Sequence, residues 1–473
     1  MGKLFGTDGV RGVANTELTP ELAFALGRAG AYVLTKERHH SPKIILGMDT
    51  RISGDLLESA LTSGMCSMGA TVYIAGVVPT PCIAYLVRRY SLDAGVMISA
   101  SHNPYQDNGI KFFNSQGYKL ADYIEEEIET AIEGGLDALP RPDCSGVGTR
   151  RTADEALEDY IEFLSGIEAE NETEIKIEAE ADIKAEDKGP GGRLNGLKVA
   201  LDCANGATFQ AAPWLFESLG ASVSVINNEP NGLNINEDCG STHIGGLIKH
   251  VLETGADVGF AFDGDGDRCL MVDEFGKVVD GDEVMSICGA YLKNAGRLKQ
   301  DVIVATVMSN LGFFIMGEKN GIKIEKTNVG DRFVLERMLE NGYNFGGEQS
   351  GHIIFLDHNT TGDGLVTALM IASIMKVTGK TLSQLNVLME TLPQVLLNAR
   401  VDNSKKDMYD KDERILSAID AIERKYRGGG RVLIRASGTE PLVRVMIEGR
   451  DKAELERDAR ELVDLIEDVL GRN

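Results

Sequence analysis

Three carboxylates stand at alternate positions in Asp263-Gly264-Asp265-Gly266-Asp267-Arg268. Carboxylates spaced this way, with glycines that let the backbone fold tightly, can converge on one hard divalent cation. Without a cation or protons they repel one another. An EF-hand calcium loop competes, because Glu274 falls at its twelfth position. Arg268 counts against it, standing sixth where the sharp turn needs Gly. So do the flanks Val258-Gly259-Phe260-Ala261-Phe262 and Cys269-Leu270-Met271-Val272, which read as strands and not helices. A plain acidic hairpin turn is the bland alternative.

Ser99-Ala100-Ser101-His102-Asn103-Pro104 follows the apolar run Val96-Met97-Ile98. A hydroxyl on a strand-end loop is placed to be a nucleophile or a phosphate carrier, although Ser-rich turns are common and a neighbouring His102 adds little by itself. No Gly-x-Ser-x-Gly elbow supports an acyl-transfer hydrolase. Arg435-Ala436-Ser437-Gly438-Thr439-Glu440-Pro441, with Arg444, resembles an anion cradle of hydroxyls, backbone N–H groups and guanidinium groups. Gly346-Gly347-Glu348-Gln349-Ser350-Gly351-His352 puts an acid, a hydroxyl and an imidazole in one turn, which suits a polyol such as a sugar. Thr327-Asn328-Val329-Gly330-Asp331-Arg332 is a second polar Gly loop, and each of the two is as readily a surface turn. Arg11, Arg51 and Lys111 stand in further Gly-rich settings. Gly379-Lys380-Thr381 is no Walker loop, since its first Gly would fall at Ile374.

Charge decides what these groups bind. The 473 residues carry 48 Lys and Arg against 73 Asp and Glu, a formal charge of −25. That balance excludes a general nucleic-acid footprint. It also repels an anionic substrate at long range, although salt screens this beyond about 8 Å. An anion then needs a concentrated cationic pocket, which Arg11, Lys111, Arg268, Arg332, Arg435 and Arg444 can supply. A phosphorylated sugar meets both demands, with the cation offsetting the charge on a transferring phosphoryl group. The seven cysteines include no Cys-x-x-Cys pair, which argues against a disulfide scaffold or thiolate zinc site and fits a reducing compartment. No apolar run reaches the roughly 18 residues a membrane span needs, and the start lacks a signal-peptide core. The expected location is the cytoplasm.

The elements that must position these loops show a βα rhythm. Lys43 to Asp49, Lys198 to Asp202 and Asp301 to Thr306 are apolar runs suited to strands buried on both faces. Helix-compatible stretches follow at Leu56 to Met68 and Pro213 to Leu219. Gly-Ala-x-Val recurs after both, at Gly69 and Gly220. The expected class is α/β: three similar α/β domains with mixed sheets, then a smaller C-terminal α+β domain. In that last part Arg431 to Ile434 and Leu442 to Ile447 read as strands and Lys452 to Leu470 as an amphipathic helix. The expected boundaries are 1-155, 156-280, 281-392 and 393-473. An acidic insertion at about 166-194 interrupts the second domain. Within it Glu168 to Lys188 holds nine acids against three lysines. It reads as a solvated segment, or, from the alternation Ile175, Ile177, Ala179, Ala181, Ile183 and Ala185, as an edge hairpin or partner-binding strand.

Taken together, the Ser101, Asp263, Glu348 and Arg435 motifs, in that order along nearly the whole chain, resemble the α-D-phosphohexomutase superfamily. Phe5-Gly6-Thr7-Asp8-Gly9-Val10-Arg11-Gly12 and Gly109-Ile110-Lys111-Phe112-Phe113 sharpen the likeness. The resemblance implies four domains around a central cleft, each giving one loop. It implies that Ser101 is a phosphoserine which, with Asp263, Asp265 and Asp267, holds one Mg²⁺. Phospho-Ser101 would give its phosphoryl group to glucosamine 6-phosphate. The resulting hexosamine 1,6-bisphosphate, also the activator, would turn over and leave glucosamine 1-phosphate, for UDP-N-acetylglucosamine synthesis. Arg11 and Lys111 would flank the phosphoryl group, and Lys111 and His352 are candidates for proton transfer, with His102 counted beside them. Glu348 and Ser350 would hold sugar hydroxyls, with Arg268, Gly330 and Asp331 in the same substrate-binding set. Arg435, Ser437, Gly438, Thr439 and Arg444 would hold the distal phosphate. The acidic insertion departs from the family pattern. The expected partner is a small sugar phosphate, with no nucleic acid and no membrane; a homodimer is possible. The rival readings are the same fold acting on glucose or mannose phosphates, a Mg²⁺-dependent sugar phosphatase, and a non-catalytic sugar-phosphate sensor.

Overall fold

The computed structural model describes residues 4–6, 8–36, 40–174, 192–437 and 440–471, with backbone only for 168–174. It divides into two compact units, one of Met1–Val307 with Ile322–Val387, the other of Met308–Gly321 with Leu388–Asn473.

The first unit contains three mixed sheets. One has six strands in the order Val10–Val13, Asp107–Asn114, Ala94–Ile98, Lys43–Met48, Thr71–Val77, Thr149–Thr152. The next has five: Val278–Val279, Cys269–Asp273, Val258–Phe262, Lys198–Asp202, Ser222–Ile226. The last has four: Lys323–Thr327, Val302–Thr306, Phe345–Gly347, Ile353–Phe355. One module recurs in all of them. Its first strand (Lys43–Met48, Lys198–Asp202, Val302–Thr306) lies centrally and parallel to both the second and the third. The fourth strand returns antiparallel to the third through a short turn. The expected triple use of one α/β unit is thus a repeated strand order.

Local chemistry sets the rhythm. The helices Gly54–Cys66 and Thr208–Ser218 are each followed by a glycine in the left-handed region, Gly69 at φ +86° and Gly220 at φ +88°, two residues before the next strand opens at Thr71 or Ser222. Only glycine takes that turn without a Cβ penalty. The second helix begins five residues before the sequence reading placed it, so Pro213 lies inside and not in its first turn. The helix Lys452–Leu470 has the expected bounds. It buries Leu455, Ala459, Leu462, Val463 and Ile466 against Val443, Val445 and Ile447 of the antiparallel sheet Gln394–Arg400, Leu442–Glu448, Arg431–Ala436 in the second unit. The helix Leu311–Lys319 belongs to this second unit, not to the third sheet. The helix Ala156–Glu174 carries the first part of the acidic insertion. The alternating stretch 175–185 lies outside the described residues.

In the first layer the helices Pro20–Thr35 and Gly54–Cys66 pack backbone to backbone. A Cβ on Gly64 would lie 2.3 Å from the Phe24 carbonyl oxygen, and one on Gly27 2.4 Å from that of Leu61. Neither obstacle is a flexible side chain. Gly64→Ala should therefore lower stability by about 1–3 kcal/mol, although alanine is the better helix former by about 1 kcal/mol. A denaturant midpoint at or above wild type would contradict this packing.

Candidate functional site

The three turns between third and fourth strands bear the residues singled out by spacing: Ser101 in the first sheet, the three aspartates in the second, and Glu348, Ser350 and His352 in the third. A repeated topology therefore delivers three different chemistries from equivalent positions.

The first turn is strained. Ser101 has φ +54°, in the left-handed region that side chains avoid, at a cost of order 1–3 kcal/mol that surrounding structure must over-determine. It does. Arg51, itself buried and held by Asp49 at 3.0 Å, donates to the carbonyls of Ser101 (2.9 Å), Asn103 (3.0 Å) and Pro104 (2.7 Å). Asn236 donates to the Ser101 and Asn103 carbonyls at 2.9 and 3.0 Å. The Ser101 N–H donates to Ser99 Oγ, whose hydroxyl donates to Asp49. The strain aims Ser101 Oγ–H at Asp263 Oδ2, 2.5 Å away. Ser101 is 1% exposed.

In the second turn Asp263, Asp265 and Asp267 are buried and each offers an oxygen within 4.8 Å of the others. The turn joins two strands, which disposes of the EF-hand reading. Thr80 and Lys111 both donate to Asp265 Oδ2, at 2.6 and 2.8 Å. Oδ1 of Asp265 and of Asp267 is buried without a donor. Burial, then Asp267 and Asp265, push the Asp263 carboxyl well up. Asp267 goes the other way, because His352, Lys111 and Arg268 outweigh its burial. Orphaned oxygens and a destabilised carboxylate fit a divalent cation, which would supply the missing partners. The expected metal ligands are brought together.

Lys111 lies 3.1 Å from Asp8 and 3.9 Å from Asp267, and these acids with Asp265 raise it despite burial. Arg11 pairs with Asp8. His102 Nδ1 is 3.4 Å from Ser101 Oγ; burial, then Arg268 and Arg11, lower its imidazole to about 4. In the third turn Glu348 accepts from the Gly330 N–H at 3.0 Å, and Ser350 Oγ is buried without a partner. His352 Nε2 accepts from the Gly362 N–H at 3.1 Å, so the neutral ring carries its proton on Nδ1, 3.5 Å from Asp267. Asp267 raises His352 against its burial. A pocket of about 490 Å³ opens between the turns, bordered by Arg11, His102, Arg268, Asp331 and Glu348.

Of the expected cations Arg11 and Arg268 line it, and Arg332 does not. Arg332 pairs with Asp122 and with Glu336 (2.9 Å) and approaches Glu125 (3.7 Å), because it leaves the start of its helix on the side facing acids. Sequence reading missed Asp49, Thr80, Asn236, Lys119 and the roles of Asp8 and Arg51. Only Asp8, within the Gly-rich run that holds Arg11, and Arg51 carried a local signal.

In the second unit Arg435 and Arg444 are direct cross-strand partners. Paired cations repel unless an anion joins them, and burial, then Arg444, lower Arg435. Arg444 Nε is buried without an acceptor. Lys406 donates to the Ser437 carbonyl at 2.9 Å. Gly438 and Thr439 lie outside the described residues.

Comparison with known proteins fixes the family. Domains I, II and III of phosphoglucomutase/phosphomannomutase, each described as alpha/beta/alpha, match residues 2–137, 176–276 and 280–392, and its C-terminal domain matches 396–465. A phosphoglucosamine mutase of Ruminiclostridium cellulolyticum is 59% identical over 471 residues, covering 100% of both chains. One of Acetivibrio thermocellus is 57% identical with the same coverage. A phosphoglucomutase/phosphomannomutase family protein of Burkholderia thailandensis has a similar structure, with TM-score 0.78 at 23% identity, over 100% of this chain and 98% of that one. Aspergillus fumigatus N-acetylphosphoglucosamine mutase, in complex with GlcNAc-6P and magnesium, gives 0.67 at 18%, over 99% and 96%. These relations define an intramolecular phosphotransferase, an isomerase. The chain belongs to the phosphoglucomutase/phosphomannomutase family. No helix among the described residues is long and apolar enough to cross a membrane.

Two outcomes follow from the site. Mg²⁺ at a hundredfold excess over its Kd should add about 2.7 kcal/mol, seen as a higher melting temperature, and Asp265→Asn/Asp267→Asn should abolish that rise; an equal rise in the variant would contradict the cation site. By NMR, His102 should stay neutral down to about pH 4. The unfolded chain takes that proton near 6.5, so stability falls as pH drops through that window and is unaffected by this group at pH 7. Titration near 6.5 in the folded protein would contradict the burial argument.

Proposed function

We propose that this chain interconverts glucosamine 6-phosphate and glucosamine 1-phosphate, a reading supported by its 57–59% identical relatives, which are named phosphoglucosamine mutase, and that it supplies UDP-N-acetylglucosamine synthesis in the cytoplasm. Ser101 is the phosphoryl carrier. The observation that carries this is its left-handed backbone, which aims the hydroxyl at Asp263 of a three-carboxylate cluster.

When bound, Mg²⁺ supplies the positive charge that offsets a transferring phosphoryl group, held by Asp263, Asp265, Asp267 and phospho-Ser101. The chain's own groups do the rest. The sugar hydroxyl oxygen bonds to phosphorus as the Ser101 Oγ–P bond breaks, and the hydroxyl proton leaves. Lys111, kept protonated by its three acidic neighbours, presents positive charge and can give a proton to Ser101 Oγ; His352 can take the hydroxyl proton on Nε2 once that atom releases the Gly362 N–H. Arg11, His102 and Arg268 border the pocket where that charge develops, and preorganised groups there cost no rearrangement during transfer. Glu348, Ser350, Gly330 and Asp331 form the sugar wall. Arg435, Ser437, Gly438, Thr439 and Arg444 bind phosphate. Transfer leaves hexosamine 1,6-bisphosphate, which returns its other phosphoryl group to Ser101 and also primes it. The proposed domain boundaries are 155, 280 and 392, and a homodimer is the proposed assembly.

Ser101→Ala should lower mutase activity by roughly a thousandfold or more. Mass spectrometry of active wild type should find one phosphoryl group on Ser101. A fully active preparation with that position unmodified would overturn the proposal, and faster turnover of mannose 6-phosphate would overturn the substrate. Phosphate release at the mutase rate would favour the phosphatase reading.

A further inference from the structure

Two neighbouring residues at the sugar wall, Asp331 and Arg332, are tied to two near neighbours of the first sheet's domain, Lys119 and Asp122, with the charges reversed. Lys119 Nζ donates to both Asp331 and Asp8. Arg332 pairs with Asp122. Lys119 is bridged in antiparallel fashion to Phe113, at the end of the strand bearing Lys111. Asp331 opens the helix Asp331–Asn341, and its neighbour Gly330 reaches Glu348 through its N–H. Asp8 also pairs with Arg11 and Lys111.

Lys119 therefore sits behind two pocket-lining carboxylates, Asp8 and Asp331, without lining the pocket itself. Its side chain is 14% exposed, so its charge is little screened by water. Two like-charged carboxylates facing a pocket for a phosphorylated substrate are unfavourable unless a cation joins them. Burial of Lys119 is opposed by Asp331 and Asp8, which hold it charged. The reversed second pair fixes the direction of the contact, because a shift that separated one pair would also strain the other.

We propose that Lys119 is a positioning residue for substrate recognition: by joining Asp8 to Asp331, it fixes the 329–332 loop as one wall of the pocket and cancels the charge that would otherwise repel the sugar phosphate. This rests on the sugar-phosphate reading above. The loop's contacts with substrate are made before and during transfer alike, and loss of such uniform binding raises KM and leaves kcat.

The test compares wild type, Lys119→Met, Lys119→Arg, Asp331→Asn and the double variant Lys119→Met/Asp331→Asn in steady-state kinetics with glucosamine 6-phosphate. Amide hydrogen exchange is followed across residues 329–336. Lys119→Met should raise KM by about tenfold or more with kcat within about threefold. Lys119→Arg should recover most of the loss. The double variant should lose less than the product of the single effects, since Asp331→Asn removes the carboxylate that Lys119→Met leaves unpaired. Exchange across 329–336 should quicken in Lys119→Met while that of the helix Pro20–Thr35 does not change. An unchanged KM, a fall confined to kcat, or strictly multiplicative effects would overturn the proposal. If Lys119→Met does not fold, Lys119→Arg and Asp331→Asn carry the same comparison. A wild type that turns over no hexose 6-phosphate would overturn the function. The exchange measurement would then still decide the tether, and unchanged exchange would sink it.

Discussion

The structure is arranged around the cost of collecting negative charge in a buried place. Three carboxylates share one turn, two of their oxygens lack any donor, and the hydroxyl of Ser101 points at a third. Such a cluster is unfavourable by desolvation and by repulsion. The surrounding cations answer it unequally. Asp267 faces His352, Lys111 and Arg268 and is held ionised; Asp263 donates nothing and accepts chiefly from Ser101 and the Arg268 N–H, and is driven toward the neutral form. The phosphoryl group proposed for Ser101 would add about two further charges beside Asp263, and cation binding and serine modification would then be linked.

Rigid support lies behind the serine turn, on its carbonyls. Arg51 alone makes three hydrogen bonds to the turn's carbonyls, and Asn236 adds two from the second sheet. The backbone carbonyls are restrained from both sides, so the left-handed conformation is held through the main chain. Gly264 makes the approach feasible: a Cβ there would lie 2.5 Å from the Ser101 carbonyl oxygen. The glycines of the aspartate turn thus serve the junction with the neighbouring sheet as much as the turn itself.

The chemistry was readable in the sequence wherever it is local. Alternate aspartates, a Ser-His turn after an apolar strand, and an acid-hydroxyl-imidazole turn each lie within a few residues, and their flanking runs showed that they join strands. The repeated module was readable only as a rhythm, since strand order depends on pairings between distant segments. What could not be read was support acting across long separations. Thr80 reaches Asp265 from 185 positions away and Asn236 reaches Ser101 from 135. Nothing in the composition around Thr80 or Asn236 distinguishes them from ordinary turn residues. Arg332 fails in the opposite sense. Its setting resembles that of the pocket cations, but a helix start turns it toward Asp122 and Glu336.

The repeated strand order gives these observations a common cause. A parallel sheet leaves its carboxyl-end loops facing one way, and a final antiparallel strand makes the last of them a tight hairpin held at both ends. A turn so held can keep a strained residue or crowded charges where a free loop would relax. Three modules place three such turns around one pocket, and each can diverge in chemistry without disturbing the sheet beneath. Ser101, the three aspartates and Glu348 therefore sit on separate modules. Their relative placement then depends on side-chain contacts between modules, such as Thr80 with Asp265 and Lys119 with Asp331. The shape of the pocket accordingly depends on these junctions as well as on the residues that line it.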